Sequence, residues 1–413
     1  MPAELRDLQA RRRAARAGRR RRTAAAALLG LVASGALAFA LLGGGSGGGE
    51  AEPSSVPSIA PPALPGTTPE ELRELVGFGT AAPRPLSPRE LAGQRLIAGY
   101  DGLRPPRGLR RMIRRGQLAG VILFDDNVAG RRETARRIAS LQRIRRPRGL
   151  RMPLAVMVDQ EGGLVKRLPG PPRASAEEMG RRGAAYARRQ GAATASSLRS
   201  AGINVDLAPV LDVARPGSAI ASEERSFGPR AARVIAVGVG GFARGLRDGG
   251  IAATAKHFPG LGAARTNTDD ASQRIALSRR RLRGIDERPF GSFIGAGGKL
   301  VMLGLATYPA FSDRPAALSR TLATAELRDR LGFDGVSISD SLDAAAARSF
   351  GGRRRVARET AQAGTDLLLY GNWRVARLAG EVLRHGVASG RLSRAGFERS
   401  VSRVLALRRG LSD

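Results

Sequence analysis

From residue 94 the chain repeats one unit eight times: a short apolar run, a loop, then an amphipathic arginine-rich stretch. The runs are Leu96–Gly99, Gly120–Phe124, Leu154–Val158, Val205–Leu207, Ala252–Ala255, Leu300–Gly304, Gly335–Ser339 and Leu367–Tyr370. Short apolar runs bounded by Gly and Pro read as buried strands of a parallel sheet. Helices are expected at 130–143, 176–201, 229–248, 320–331, 373–388 and 393–409. Eight alternations over about 320 residues predict an α/β fold, a closed (β/α)8 TIM-type barrel, rather than an open doubly wound sheet. No Gly-x-Gly-x-x-Gly follows the first run, which argues against a dinucleotide site. In such a barrel the chemistry sits where the strands end, so the polar residues just after each run are the ones to read.

Ahead of the barrel the sequence reads as an address. Residues 1–22 carry nine arginines, and 23–42 is an uncharged apolar stretch. About 20 such residues span a bilayer as a helix. The basic arm predicts a cytoplasmic N-terminus, with everything after Leu42 outside the membrane. Ala38-Phe39-Ala40 has the form of a cleavage site, so a removed signal sequence is the alternative. A Gly-rich then Pro/Ser-rich linker occupies 43–67, and the folded region is expected over 68–413.

Composition narrows the chemistry. With 42% hydrophobic residues the chain is too apolar to be disordered. It has no cysteine, which excludes disulfides, thiolate metal sites, thiol nucleophiles and lipid-modified cysteine. Two histidines, His257 and His385, make a multi-histidine metal site unlikely to be built. Net charge is +33, and 66 of the 69 cations are arginine. That balance fits either an anionic partner or a GC-rich codon bias. Aromatic residues are 4%, too few for single-strand stacking platforms, so no nucleic-acid partner is expected.

Four strand ends carry concentrated polar residues. After the third run comes Asp159-Gln160-Glu161-Gly162-Gly163-Leu164-Val165-Lys166-Arg167. After the fourth come Ala208-Pro209-Val210-Leu211-Asp212 and Arg225-Ser226-Phe227-Gly228. Asp212 reads equally as a structural hydrogen-bonding residue or a ligand contact. After the fifth come Lys256-His257-Phe258-Pro259-Gly260 and Thr266-Asn267-Thr268-Asp269-Asp270. Lys256 is one of three lysines in the chain, and Lys and Arg are not interchangeable where a compact ammonium is needed. After the seventh, Asp340 is a helix cap or a catalytic carboxylate.

On these motifs the sequence resembles glycoside hydrolase family 3, specifically its bacterial β-N-acetylglucosaminidases. Asp159-Gln-Glu-Gly-Gly, Ala208-Pro-Val-Leu-Asp, Arg225-Ser-Phe-Gly, Lys256-His-Phe-Pro-Gly, Tyr308-Pro and Ser339-Asp340 occur in the family's order between about residues 90 and 410. The resemblance implies a retaining hydrolase that forms a covalent glycosyl-enzyme intermediate. It implies Asp340 as nucleophile, with Asp159, Arg167, Arg225, Lys256 and His257 binding a terminal N-acetylglucosamine. No metal and no organic cofactor is implied. The expected partner is an N-acetylglucosamine-containing glycan, of cell-wall or chitin-like origin, and the protein is expected to be a monomer.

The sequence departs from the family at the acid/base. Its members carry an Asp-x-His pair after strand five, and here the match reads Asp269-Asp270-Ala271. Leu261 and Leu305 also stand where the family commonly has histidine. Three readings stay open: Asp269 or Asp270 serves as acid/base, the enzyme is slow, or the domain binds glycan without cleaving it.

Overall fold

The computed structural model describes residues 85–411. The expected basic arm, apolar segment and linker lie outside the described residues, as does 68–84. Among the described residues no helix is long and apolar enough to cross a membrane.

Twelve strands form among the described residues: β1 Leu96–Ala98, β2 Gly120–Leu123, β3 Ala155–Val158, β4 Gln160–Gly162, β5 Val165–Lys166, β6 Val205–Asp206, β7 Ala252–Phe258, β8 Leu300–Leu303, β9 Thr307–Tyr308, β10 Ser312–Pro315, β11 Val336–Ser339 and β12 Leu368–Tyr370. Eight of them pair in parallel in the order β11-β8-β7-β6-β3-β2-β1-β12. The seam between β11 and β12 is spanned by a bridge from Ile338 to Leu367, with Ser339 N–H donating to Leu367 O and Leu367 N–H to Ser337 O, both at 2.9 Å. The result is a nearly closed eight-stranded barrel ringed by helices, as the alternation predicts.

Period-two alternation sorts the side chains. Ile97, Ile122, Met157, Met302 and Ile338 pack together inside the barrel. Their neighbours Ala98, Val121, Val158, Val301 and Leu303 belong to the layer under the helices. The last helix, Arg394–Arg409, adds Val404 to the inner set and closes the barrel floor. Arg403 Nη2 lies 2.7 Å from the buried Asp366, and Arg408 donates to the carbonyls of Pro153 and Met152, both at 2.8 Å.

Two features differ from the sequence reading. The helix expected over 176–201 is two helices, Ala176–Arg182 and Ala184–Ser200, because Gly183 at φ 90° breaks the run. Two short antiparallel hairpins, β4/β5 and β9/β10, stand on the C-terminal rim. The first turns through Gly162 and Gly163, at φ 98° and 53°. Hairpins this short and polar lack the apolar period by which a strand is recognised.

Candidate active site

The strand ends bring together one buried charge network. Lys256, near the end of β7, places Nζ 2.7 Å from Asp159 Oδ1 and 2.7 Å from Glu161 Oε1. Arg225 grips the same Glu161 with both arms of its guanidinium, Nε at 2.8 Å and Nη2 at 2.9 Å. Its third nitrogen, Nη1, lies 3.3 Å from Glu223, which also accepts from Asn267 at 3.4 Å. Two cations and three carboxylates are thus interlocked, as buried charges must be.

The electrostatics follow from that network. Burial would raise Asp159, but Lys256 and Arg167 outweigh it and hold the carboxyl well below the usual range. Glu161 is likewise opposed by burial yet brought down to about 2 by Arg225 and Lys256. Burial pulls Lys256 down, and Asp159 and Glu161 more than restore it. Asp159, Glu161, Lys256 and Arg225 are therefore all charged at neutral pH.

Arg167 is held more loosely. Its Nη1 is 3.5 Å from Asp125 and its Nη2 3.8 Å from Asp159, while Nε is buried with no hydrogen-bond partner. Such long contacts and an unmet donor leave capacity for a ligand. His257 is fixed from behind: Nδ1 is 2.7 Å from Asp212 Oδ2. Asp212 also accepts from the backbone N–H groups of His257 at 3.2 Å and Leu261 at 2.6 Å. A carboxylate used as acceptor throughout places the ring proton on Nδ1 and leaves Nε2 for a ligand. Of the two readings of Asp212, the structural one fits this geometry.

Asp340 directly follows β11. Its N–H donates to Leu303 O at 2.9 Å, and Oδ1 accepts from Ser341 N at 2.7 Å. It is half-buried and has no ion pair among the described residues. Burial raises its carboxyl, His257 opposes the rise, and Asp269 adds to it. Asp340, His257 and Asp269 therefore share one electrostatic neighbourhood. The Asp269 loop is tied beside it: Ala345 N–H donates to Asp269 O and Ala346 N–H to Thr268 O, both at 3.2 Å. Asp269 is half-buried, whereas Asp270 is exposed.

All eight residues singled out in the sequence thus lie at the C-terminal ends of the strands or on the loops above them. Seven of them join the network or the surroundings of Asp340, and Asp270 faces solvent. Three contributors went unassigned as site residues: Glu161, Glu223 and Asp206. Glu161 stands two residues from Asp159, the same-face spacing of an extended segment, and that signal was available. Asp206 is wholly buried in β6 and accepts from Gln160 N–H at 3.0 Å, at the corner where β3 leads into the hairpin. Burial pushes its carboxyl well above the usual range. Among the described residues no group of three or more His, Asp or Glu side chains is arranged to hold a metal ion.

Comparisons with known proteins agree with this geometry. Residues 86–407 match the family described as "Glycosyl hydrolase family 3 N terminal domain". An uncharacterized secreted glycosyl hydrolase of Arthroderma benhamiae is 37% identical over 330 residues, 78% of this chain and 93% of the relative. A beta-hexosaminidase of Stenotrophomonas maltophilia is 33% identical over 288 residues, 66% of this chain and 82% of the relative. Among solved structures, a family 3 β-N-acetylglucosaminidase from Paenibacillus superposes with a TM-score of 0.75 at 34% identity, covering 80% of this chain; the chain spans 64% of that protein. A β-N-acetylhexosaminidase from Beutenbergia cavernae has a TM-score of 0.71 at 29% identity, covering 78% of this chain and 99% of that one.

Proposed function

The chain belongs to glycosyl hydrolase family 3, and on that premise we propose that it is a retaining glycosidase that removes terminal β-linked N-acetylglucosamine. Asp340 is the nucleophile. One observation carries this reading: a half-buried strand-end carboxylate, without an ion pair among the described residues, stands within electrostatic reach of His257, Lys256 and Asp269. A carboxylate locked in a salt bridge could not attack; this one is engaged by a single backbone N–H.

The network supplies recognition. Asp159, Arg167, Lys256 and His257 Nε2 hold the sugar's hydroxyl and acetamido groups, because charge-assisted hydrogen bonds are the strong ones. Arg225 acts one step back, fixing Glu161 and through it Lys256. Asp340 attacks the anomeric carbon, the bond to the leaving oxygen breaks, and a carboxylic acid protonates that oxygen. Of the two candidates, Asp269 takes this role, since it is half-buried and within electrostatic reach of Asp340, whereas Asp270 is exposed. Asp269 then takes the proton of the water that releases the sugar. The similarity to β-hexosaminidases and β-N-acetylglucosaminidases supports the substrate. The secreted relative and the apolar stretch at 23–42 support an extracytoplasmic domain, tethered or released, working on cell-wall or chitin-like glycan.

The test is turnover of an aryl β-N-acetylglucosaminide beside a natural disaccharide. Asp340→Ala is expected to abolish both. Asp269→Ala is expected to lower disaccharide turnover about 10²- to 10⁴-fold and the aryl substrate much less, because an activated leaving group needs little proton donation. Asp270→Ala is expected to change neither greatly; if it matches Asp269→Ala, the assignment of the acid is wrong. Ala271 favours a second reading, a glycan-binding protein on this fold. Sugar binding by folded wild-type protein without cleavage of either substrate would establish that one instead.

A further inference from the structure

On the outer helical layer a cleft of about 400 Å³ runs between the helices Arg107–Arg114 and Trp373–Ala388. The volume is within the range of small-ligand sites. Arg89, Arg111, Arg115 and Arg377 line it, over a floor of Met112 and Trp373. Trp373 is the chain's single tryptophan. It is seated there by Gly108, where a Cβ would come within 2.1 Å of the indole ring.

The charge in this cleft is unbalanced. None of the four arginines is ion-paired among the described residues. The one acid on the wall, Glu381, is already taken by Arg384 at 2.8 Å. Some arginines elsewhere on the surface find carboxylates, as Arg188 finds Asp248 at 2.7 Å and Arg394 finds Glu398 at 2.9 Å; what sets these four apart is that they share one cleft. Four guanidiniums lining one concave wall repel one another unless an anion sits among them. Guanidinium forks match carboxylate and phosphate oxygens, while the Trp373 ring, stacked under Arg374 at 4.8 Å, serves as wall rather than as contact.

The geometry points to a second binding site: this cleft takes an acidic glycan, through its carboxylate or phosphate groups, and holds the enzyme on its polymer independently of the barrel mouth. The choice of a glycan over another polyanion rests on the glycosidase reading above; the anion site itself rests on the four arginines. It also separates a local function of arginine from the overall charge of +33.

The experiment is equilibrium binding of the full chain to polygalacturonate, to phosphomannan and to single-stranded DNA, across a salt series. Wild type is compared with a cleft variant, Arg89→Ala, Arg111→Ala, Arg115→Ala and Arg377→Ala together. A control carries Arg132→Ala, Arg148→Ala, Arg280→Ala and Arg354→Ala, four exposed arginines elsewhere, so that both lose the same charge. The expected result is that the cleft variant loses at least about tenfold in affinity for one or both acidic glycans, the scale of one lost charge-assisted contact. The control is expected to stay near wild type, with DNA bound less well than the glycans. The preferred polymer distinguishes a carboxylate site from a phosphate site. Equal losses in both variants, DNA bound as tightly as the glycans, or no binding by wild type would each overturn the proposal. Aryl-glycoside turnover, measured alongside, is expected to be unchanged in both variants and shows that they fold. If wild type turns over neither aryl nor natural substrate while cleft-dependent binding persists, the glycosidase reading fails and the anion site stands.

Discussion

Lys256 carries the tightest constraint at the scale of single residues. Its ammonium is shared between Asp159 and Glu161 at 2.7 Å each, in a site from which water is largely excluded. A guanidinium is planar, wider and longer, so equal charge does not make it equivalent. Lys256→Arg is expected to raise KM at least about tenfold, one lost charge-assisted contact. Lys256→Met leaves two buried carboxylates facing one another, and stability is expected to fall by about 3–5 kcal/mol in a denaturant melt. If Lys256→Arg binds substrate as wild type does, the ammonium is only a structural counter-ion. Asp340 makes a prediction about pH. The proposed role as nucleophile requires it to be ionised, and burial raises its carboxyl despite the opposing His257. The acid limb of kcat/KM is therefore expected above the ordinary carboxylate value of about 4. A limb at or below that value would show that another carboxylate is the nucleophile.

At the scale of elements, backbone approach decides how the loops carry the site. Gly262 lies in the loop that follows β7, and a Cβ there would stand 1.9 Å from Val213 O, beside Asp212. Gly262→Ala must push the β7 loop away from the loop holding Asp212, and with it the His257 contact. Overpacking of this kind typically costs about 1–3 kcal/mol. The variant is expected to melt lower and to lose kcat/KM together. Gly120→Ala offers the comparison: its Cβ would meet Ala155 O at 2.0 Å in the strand ladder, far from Asp212. It is expected to lower the melting temperature without the same loss of activity per folded molecule. All eight barrel strands were readable because each is an apolar run between turn signals. The β4/β5 and β9/β10 hairpins were not, since pairing of segments of two to four residues is decided by contacts beyond the segment.

At the scale of the whole molecule, two sets of buried carboxyls pull stability in opposite directions with pH. Asp366 under the barrel is brought to about 2 by Arg328 and Arg403 against the effect of burial, and Glu161 at the mouth is also at about 2. Groups lowered on folding stabilise above their unfolded value of about 4, and that stabilisation is lost as pH falls towards 2. Asp206, Asp340 and Asp343 are raised by burial. Their native forms keep protons that the unfolded chain releases above about pH 4, so they cost stability as pH climbs. The melting temperature is expected to fall steeply below pH 4, peak in the mildly acidic range, and decline towards pH 8. A curve still rising from pH 6 to 8 would mean that the raised carboxyls are satisfied in some other way.

By itself the sequence determined the barrel, the order of its strands and the strand-end residues Asp159, Lys256, His257 and Asp340, because periodicity and rare residue types are local properties. It also carries Ala271 where, by the resemblance, family members carry a histidine. Only tertiary structure decided which charges meet. Arg225 is one of 66 arginines and carries no local mark, and its bond to Glu161 spans 64 residues of chain. The distinction between Asp269 and Asp270 is of the same kind. Adjacent residues are alike in the sequence, and the backbone bonds from Ala345 and Ala346 hold the loop in which one is half-buried near Asp340 and the other exposed. Coulomb energy depends on separation in space, and the chain brings these groups together only when the barrel closes.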